Sequence, residues 1–139
     1  MPKHAAATFK VDAWDEQPWD TADGQPKMTR AEVRKSFTGD LEGTSQLQYL
    51  MTYREDGSAD FVAMERIRGS LAGKRGTFVL SHVGAFVDGA ASGTWTVVQG
   101  SGTDDLEGIT GSSEFSIPKG EEEFPFALDY EIRQPASVS

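Results

Sequence analysis

The sequence predicts an all-β fold, an eight-stranded antiparallel up-and-down β-barrel, and three observations lead there. Apolar and polar residues alternate along most of the 139 residues, the alternating runs number eight, and short turns bearing glycine or aspartate separate them. Eight strands joined by short turns must dispose of their edges. Closure into a barrel does so, and leaves an interior able to hold side chains and one small ligand. A two-sheet sandwich is the other arrangement that the pattern permits.

Taken in order, the runs lie near 6–12, 30–38, 45–54, 59–67, 77–87, 91–98, 109–117 and 124–132. The second overlaps "MTRAEVRK" at 28–35, where Thr29 offers a helix cap. Because that segment runs on into "VRKSFTGD", it is read as a strand with at most a helical lead-in. "ADFVAMERI" at 59–67 and "TFVLSHVGAFV" at 77–87 carry the clearest period of two, in β-branched, aromatic and small residues. Asp56-Gly57, Ala72-Gly73 and Asp88-Gly89 mark tight turns, 100–111 is dense in glycine, and "KGEEE" at 119–123 reads as a solvated turn. No linker or low-complexity tract divides the chain, so residues 1–139 form a single domain, with about five N-terminal and six C-terminal residues expected to be loose.

Composition removes several function classes. Thirteen Lys and Arg against 22 Asp and Glu give a formal charge of −9. Such a surface gains nothing from a polyanion, so neither nucleic acid nor membrane is an expected partner. The nearest thing to a basic cluster, "RIRGSLAGKR" at 66–75, spreads its charges along a hairpin. The lack of cysteine excludes disulfides, a thiolate nucleophile and cysteine-ligated zinc. With two histidines, one of them His4 near the loose terminus, no metal is expected. The serines sit in no nucleophile elbow and there is no dinucleotide fingerprint, so no cofactor is implied. "MPKHAAATFKVDAWDE" has no apolar signal region and no later segment approaches a membrane span, which makes the expected location cytoplasmic, in a bacterial style.

Asp-Leu-Glu-Gly occurs twice, at 40–43 and 105–108, at an offset of 65 residues. The same offset aligns Phe61 with Phe126, Ile67 with Ile132 and Arg68 with Arg133, a sparse trace of duplication. In an eight-stranded meander these two connections fall at the same end of the barrel. Asp40 and Asp105 then suit turn positions, Gly43 and Gly108 permit a bulge or positive φ, Leu41 and Leu106 point inward as plugs, and Glu42 and Glu107 stay solvated. Neither copy has the alternating oxygen ligands of a calcium loop. "GSGTDDLEG" at 100–108 is no phosphate loop, since Asp105 stands where a third glycine is needed and no Gly-Lys-Ser/Thr follows.

"VVQGSGTDDLEGITGSSEF" at 97–115 resembles the valine, Gly-x-Gly, apolar residue, glycine pattern of allene oxide cyclase and dirigent-type barrels. With "KMTRAEVRKSFTGDLEG", "YLMTY", "AMERIRGSLAGKRGTFVLSHVGAF", "GTWTVVQGSGT" and "FALDYEI", nearly the whole chain is similar to an uncharacterised bacterial family of small barrels related to allene oxide cyclases. The resemblance implies an eight-stranded, allene-oxide-cyclase-like barrel with a central cavity, often assembled as a homo-oligomer. It implies no reaction, and no catalytic residue is carried over from the cyclases.

Strand register nominates the site residues. A two-residue turn at Asp88-Gly89 pairs His82 with Trp95, Leu80 with Val97 and Phe78 with Gln99. A turn at Ala72-Gly73 then places Phe61, Ala63, Glu65 and Ile67 on the same apolar face as Phe78, Leu80, His82 and Phe86. Glu65 and His82 become two ionisable groups on adjacent strands of a greasy interior, and a one-residue slip would separate them. Tyr49, Met51 and Tyr53 make the more apolar face of the third strand, although its loop allows either parity. Phe124, Phe126, Leu128 and Tyr130 make that of the eighth. Glu65 and His82 are the candidate proton-handling pair, and Tyr49, Phe61, Phe78, Trp95 and Tyr130 the candidate ligand walls. The plainer alternative has Glu65 satisfied by Arg66 or Arg68 or by a buried hydrogen-bond network, and His82 as a core histidine bonded to a carbonyl.

The function expected is binding of a small, largely apolar molecule inside the barrel. Three classes remain open: a cofactor-free isomerase or cyclase, a non-catalytic carrier, and a filled barrel acting through its surface.

Overall fold

The computed structural model describes residues 3–20, 23–118, 120 and 122–133. Eight antiparallel strands close into one up-and-down barrel, in sequence order around the wall. They are β1 (Lys3–Asp20), β2 (Met28–Gly39), β3 (Leu41–Tyr53), β4 (Ala59–Leu71), β5 (Lys74–Val87), β6 (Ala90–Val97), β7 (Ile109–Ile117) and β8 (Phe124–Ile132). Every expected run is a strand, and 28–35 carries no helical turn. Its alternation wins because Thr29, Ala31, Val33, Lys35 and Phe37 bury one face while Arg30, Glu32 and Arg34 stay in water.

Turn chemistry sets the registers. Asp88 and Gly89 both have positive φ, at 53° and 82°, as a two-residue hairpin whose twist matches its strands requires. That turn produces the His82–Trp95 and Leu80–Val97 pairs. Phe78 gains no Gln99 partner, because β6 ends at Val97 and the chain leaves the ladder for the next connection. Ala72-Gly73 forms a second such hairpin and pairs Ala63 with His82 and Glu65 with Leu80. Tyr49 pairs with Ala63 and Met51 with Phe61, which settles the parity of β3 with Tyr49 inside.

The first strand begins earlier than expected. Lys3–Ala5, read as loose, pair with Tyr130–Leu128, and His4 Nδ1 lies 2.7 Å from Asp129 Oδ1. The C-terminal tail from 134 lies outside the described residues. Beyond Phe9, β1 pairs with β2 alone among the described residues, and Asp12 is an extra residue between the Val11–Lys35 and Ala13–Arg34 pairs. This bulge reverses the alternation, so Trp14 and Glu16 face inward opposite Val33 and Ala31.

At the opposite end, the two Asp-Leu-Glu-Gly copies take different local forms. Asp40 is the turn residue between β2 and β3, its side chain accepting the Ala6 N–H at 2.9 Å. Asp104–Leu106 form a single 3₁₀ turn. Leu41 and Leu106 are both buried in the main core, as plugs should be, and Glu42 and Glu107 are exposed. Gly108 sits at a turn with φ of 85°, whereas Gly43 lies within β3 directly opposite Gly69. A Cβ on Gly43 would stand 2.0 Å from the Arg68 carbonyl oxygen. It has the expected positive φ, at 154°, and serves close backbone approach rather than a bulge.

Candidate functional site

The interior is aromatic with one polar island. Trp95, from β6, lies stacked between Phe115 at 4.5 Å and Phe126 at 5.0 Å, and its indole N–H donates to the Ala127 carbonyl at 2.9 Å. Beside it, Glu65 of β4 and His82 of β5 meet at 2.8 Å between Oε1 and Nε2. The other carboxylate oxygen accepts the Ser45 hydroxyl at 2.6 Å and faces Lys35 Nζ at 3.6 Å. Lys35 also rests over the Phe9 ring, 4.2 Å from its centroid. All four polar side chains are buried.

Burial opposes the ionisation of Glu65, but the Lys35 ammonium, the His82 hydrogen bond and the Ser45 hydroxyl outweigh it and hold the carboxyl at about 2. An ionised carboxylate only accepts, so the proton between the two side chains sits on His82 Nε2, and in the neutral ring Nδ1 is the basic nitrogen. Around that ring stand Trp95 at 5.7 Å, Tyr49 at 6.0 Å and Phe115 at 6.1 Å, all edge-on. Burial raises the Tyr49 phenol, an effect that Glu65 reinforces and Lys35 opposes. The constellation is an imidazole oriented by a carboxylate among aromatic rings.

A path of rings runs from this site to the surface. Phe61 meets Tyr49 at 5.3 Å, and Tyr49 meets Trp14 at 5.5 Å, where Trp14 is 47% exposed. Glu16 ties this end together by accepting Thr29 Oγ at 2.7 Å, Trp14 Nε1 at 3.1 Å and the Tyr53 hydroxyl. Burial acts against the Glu16 charge, but these donors and Lys27 lower its pKa overall, while burial and Glu16 push Tyr53 up to about 12.

The structure therefore brings Glu65, His82, Tyr49, Phe61 and Trp95 together. Phe78 and Tyr130 are buried in the same core but lie toward the Asp-Leu-Glu-Gly end, Phe78 paired with Ile67, and Tyr130 close enough to Asp40 that its phenol is raised by burial and by that charge. Glu65 is not satisfied by Arg66 or Arg68, which alternate to the outer face. It is satisfied by the buried network of the plainer alternative, made of Lys35, Ser45 and His82, while His82 bonds Glu65 and not a carbonyl. Lys35 and Ser45 were missed, as was Phe115. Lys35 shares parity with Val33 and Phe37, and Ser45 with Leu47 and Tyr49, so strand alternation alone marks both as inward. Among the described residues no group of three His, Asp or Glu side chains is placed to hold a metal ion.

A separate groove lies on the outside of the barrel. It occupies about 990 Å³ on the outer face of β2–β5, lined by side chains such as Arg34, Gln46, Val62, Met64, Arg66 and Arg68.

Comparison with known proteins places the chain in one family and finds similar solved structures. A family model described as a protein of unknown function, DUF3224, matches residues 5–130. No curated protein matches the chain. A crystal structure of a DUF3224 protein of unknown function from Shewanella oneidensis MR-1 is similar over 96% of this chain and 100% of that one, with 26% identity and a TM-score of 0.76. None of these matches is an allene oxide cyclase.

Proposed function

We propose, for a chain that belongs to the DUF3224 family, that the barrel interior binds a small, largely apolar molecule, with the Glu65–His82 pair as its polar anchor. One observation carries this reading. Four polar side chains, Lys35, Ser45, Glu65 and His82, are buried together where a purely structural barrel would do as well with apolar ones. Buried ionic networks of this kind are often no more stabilising than well-packed hydrophobic replacements, so a site whose stability does not explain them invites a chemical explanation. The molecule enters past Trp14 and displaces Tyr49, which is half-buried between the surface and His82. In this position Nδ1 of His82 can take a proton from an acidic C–H, and Glu65 stabilises the imidazolium that results, which suits enolisation, isomerisation or cyclisation without a cofactor. The remote kinship with allene oxide cyclases belongs to this same proposal.

The test is a screen of polyenes, epoxides and enones by thermal shift and by turnover, on the parent protein and on His82→Gln. Ligands that raise Tm and are turned over, with turnover lost and binding kept in His82→Gln, support the isomerase or cyclase. Binding without turnover leaves a carrier.

A second reading rests on the stacking of Phe115, Trp95 and Phe126, which fills the middle of the barrel with side chains. On that reading the barrel is a scaffold and acts through its surface. Failure of every screened molecule to shift Tm selects it and ends the interior-site proposal.

A further inference from the structure

The outward faces of β2–β5 form rows across the wall. Arg30, Leu50, Val62 and Val83 are successive cross-strand partners, and the next row contains Glu32, Gln48, Met64 and Ser81. The third row is Arg34, Gln46, Arg66 and Val79, and Arg68 follows two residues beyond Arg66 on the same face. Two features sit side by side as a result. Leu50, Val62, Met64 and Val83 make an apolar shelf whose members are 46–62% exposed. Next to it, Arg34, Arg66 and Arg68 have no ion-pair or hydrogen-bond partner among the described residues, in a chain with nine more acidic than basic groups.

Strand spacing lets these arginines converge. Two strand steps separate Arg34 from Arg66 by roughly 10 Å, and two residues along one strand separate Arg66 from Arg68 by roughly 7 Å, both within the combined reach of guanidinium side chains. The groove that contains cluster and shelf, about 990 Å³, is large enough for a small ligand.

We propose that this outer groove binds an amphiphilic organic monoanion, its carboxylate held by Arg34, Arg66 and Arg68 and its apolar body lying on the Leu50–Val62–Met64–Val83 shelf. A guanidinium fork matches a carboxylate bidentately, and an apolar body covers surface that is otherwise left to water. Asp15 and Glu32 line the acidic edge of the same groove region, on paired positions of β1 and β2, and disfavour a dianionic head such as a phosphate monoester. The site is distinct from the interior one and stands whether or not that one binds anything.

Calorimetric titration with decanoate below its micelle concentration tests it, with acetate and decanol as comparison probes. The expected result is saturable one-to-one binding of decanoate, with both comparison probes at least tenfold weaker. Arg66→Gln and Arg34→Gln should each weaken decanoate about tenfold, the loss of one charge-assisted contact, and Met64→Gln should weaken it by a smaller factor. These positions are exposed, so the variants are expected to keep the parent far-UV spectrum and Tm. Decanol binding as tightly as decanoate overturns the proposal, as does decanoate affinity that falls in His82→Gln but not in Arg66→Gln. So does binding seen only with anionic lipid vesicles. A dimer that Val83→Asp dissolves would show instead that a second copy covers the shelf, and would also overturn it.

Discussion

Glu65 is an ionised group among aromatic rings, and its partners make its substitution informative. Glu65→Gln leaves Lys35 as a buried cation with no counter-charge, and should cost about 3–5 kcal/mol in urea denaturation. Replacing the whole island, as Lys35→Met, Ser45→Ala, Glu65→Leu and His82→Phe together, should restore parental stability or exceed it, because no unpaired charge then remains. A quadruple variant as unstable as Glu65→Gln would make the island structural and weaken the interior-site proposal. The pH dependence has a definite sign. The folded carboxyl, at about 2, is depressed below its unfolded value of 4.5, so its contribution is present above pH 4.5 and is lost as pH falls toward 2. Stability of the parent minus that of Glu65→Gln, measured across this range, should shrink on acidification. At residue scale the sequence placed Glu65 beside His82 by hairpin arithmetic alone. Lys35 was hidden because a lysine in an alternating strand is ordinarily read as surface, although its parity pointed inward.

At the scale of elements, two devices shape the wall and each can be broken separately. Gly43 and Gly69 face each other across β3 and β4, and a Cβ on Gly69 would stand 2.0 Å from the Glu42 carbonyl oxygen. Both glycines have positive φ, at 154° and 156°. Gly69→Ala must push two paired strands apart, and a cost on the order of 3 kcal/mol lowers Tm by roughly 10 °C. A Tm within two or three degrees of the parent would show that the sheet yields at this point. The second device is the Asp12 bulge. Deleting Asp12 removes the spare residue and lets Ala13 follow Val11 in regular alternation, so Trp14 and Glu16 keep their inward places opposite Val33 and Ala31. The Trp14–Tyr49 contact and the Glu16 cluster with Thr29 and Tyr53 should then survive, read out as tryptophan fluorescence that matches the parent. A red-shifted spectrum would mean that Trp14 has turned outward and that the strand needs the bulge to hold its register. No sequence feature revealed this bulge: no glycine marks it, and only the pairing of β1 with β2 shows that one residue is spare. The Asp88-Gly89 hairpin was legible because aspartate and glycine both tolerate positive φ, whereas at Ala72-Gly73 the glycine alone gave the signal and Ala72 is held at a φ of 50°.

For the whole molecule, closure was legible because eight amphipathic strands leave no other simple way to remove their edges, while the outer groove was not. Arg34 is 32 residues from Arg66 in the chain, so only the β2–β3–β4 registers make them neighbours, and "RIRGSLAGKR" by itself shows two of the three cluster members. The same wall carries a molecule-wide charge imbalance, with 22 acidic against 13 basic side chains. Self-repulsion of that excess destabilises the compact state, and added salt screens it. Salt also screens the exposed ion pairs, Lys10–Glu123 at 3.7 Å and Arg54–Asp60 at 2.7 Å. Exposed pairs of this kind contribute little, so relief of repulsion should dominate. Raising sodium chloride from about 0.01 to 0.2 M, which shortens the screening length from roughly 30 to 7 Å, should raise Tm by a few degrees. Choline chloride should do the same, since the effect belongs to ionic strength and not to a bound sodium ion. A Tm that falls with both salts would mean that the wall is held by its ion pairs more than it is strained by its net charge.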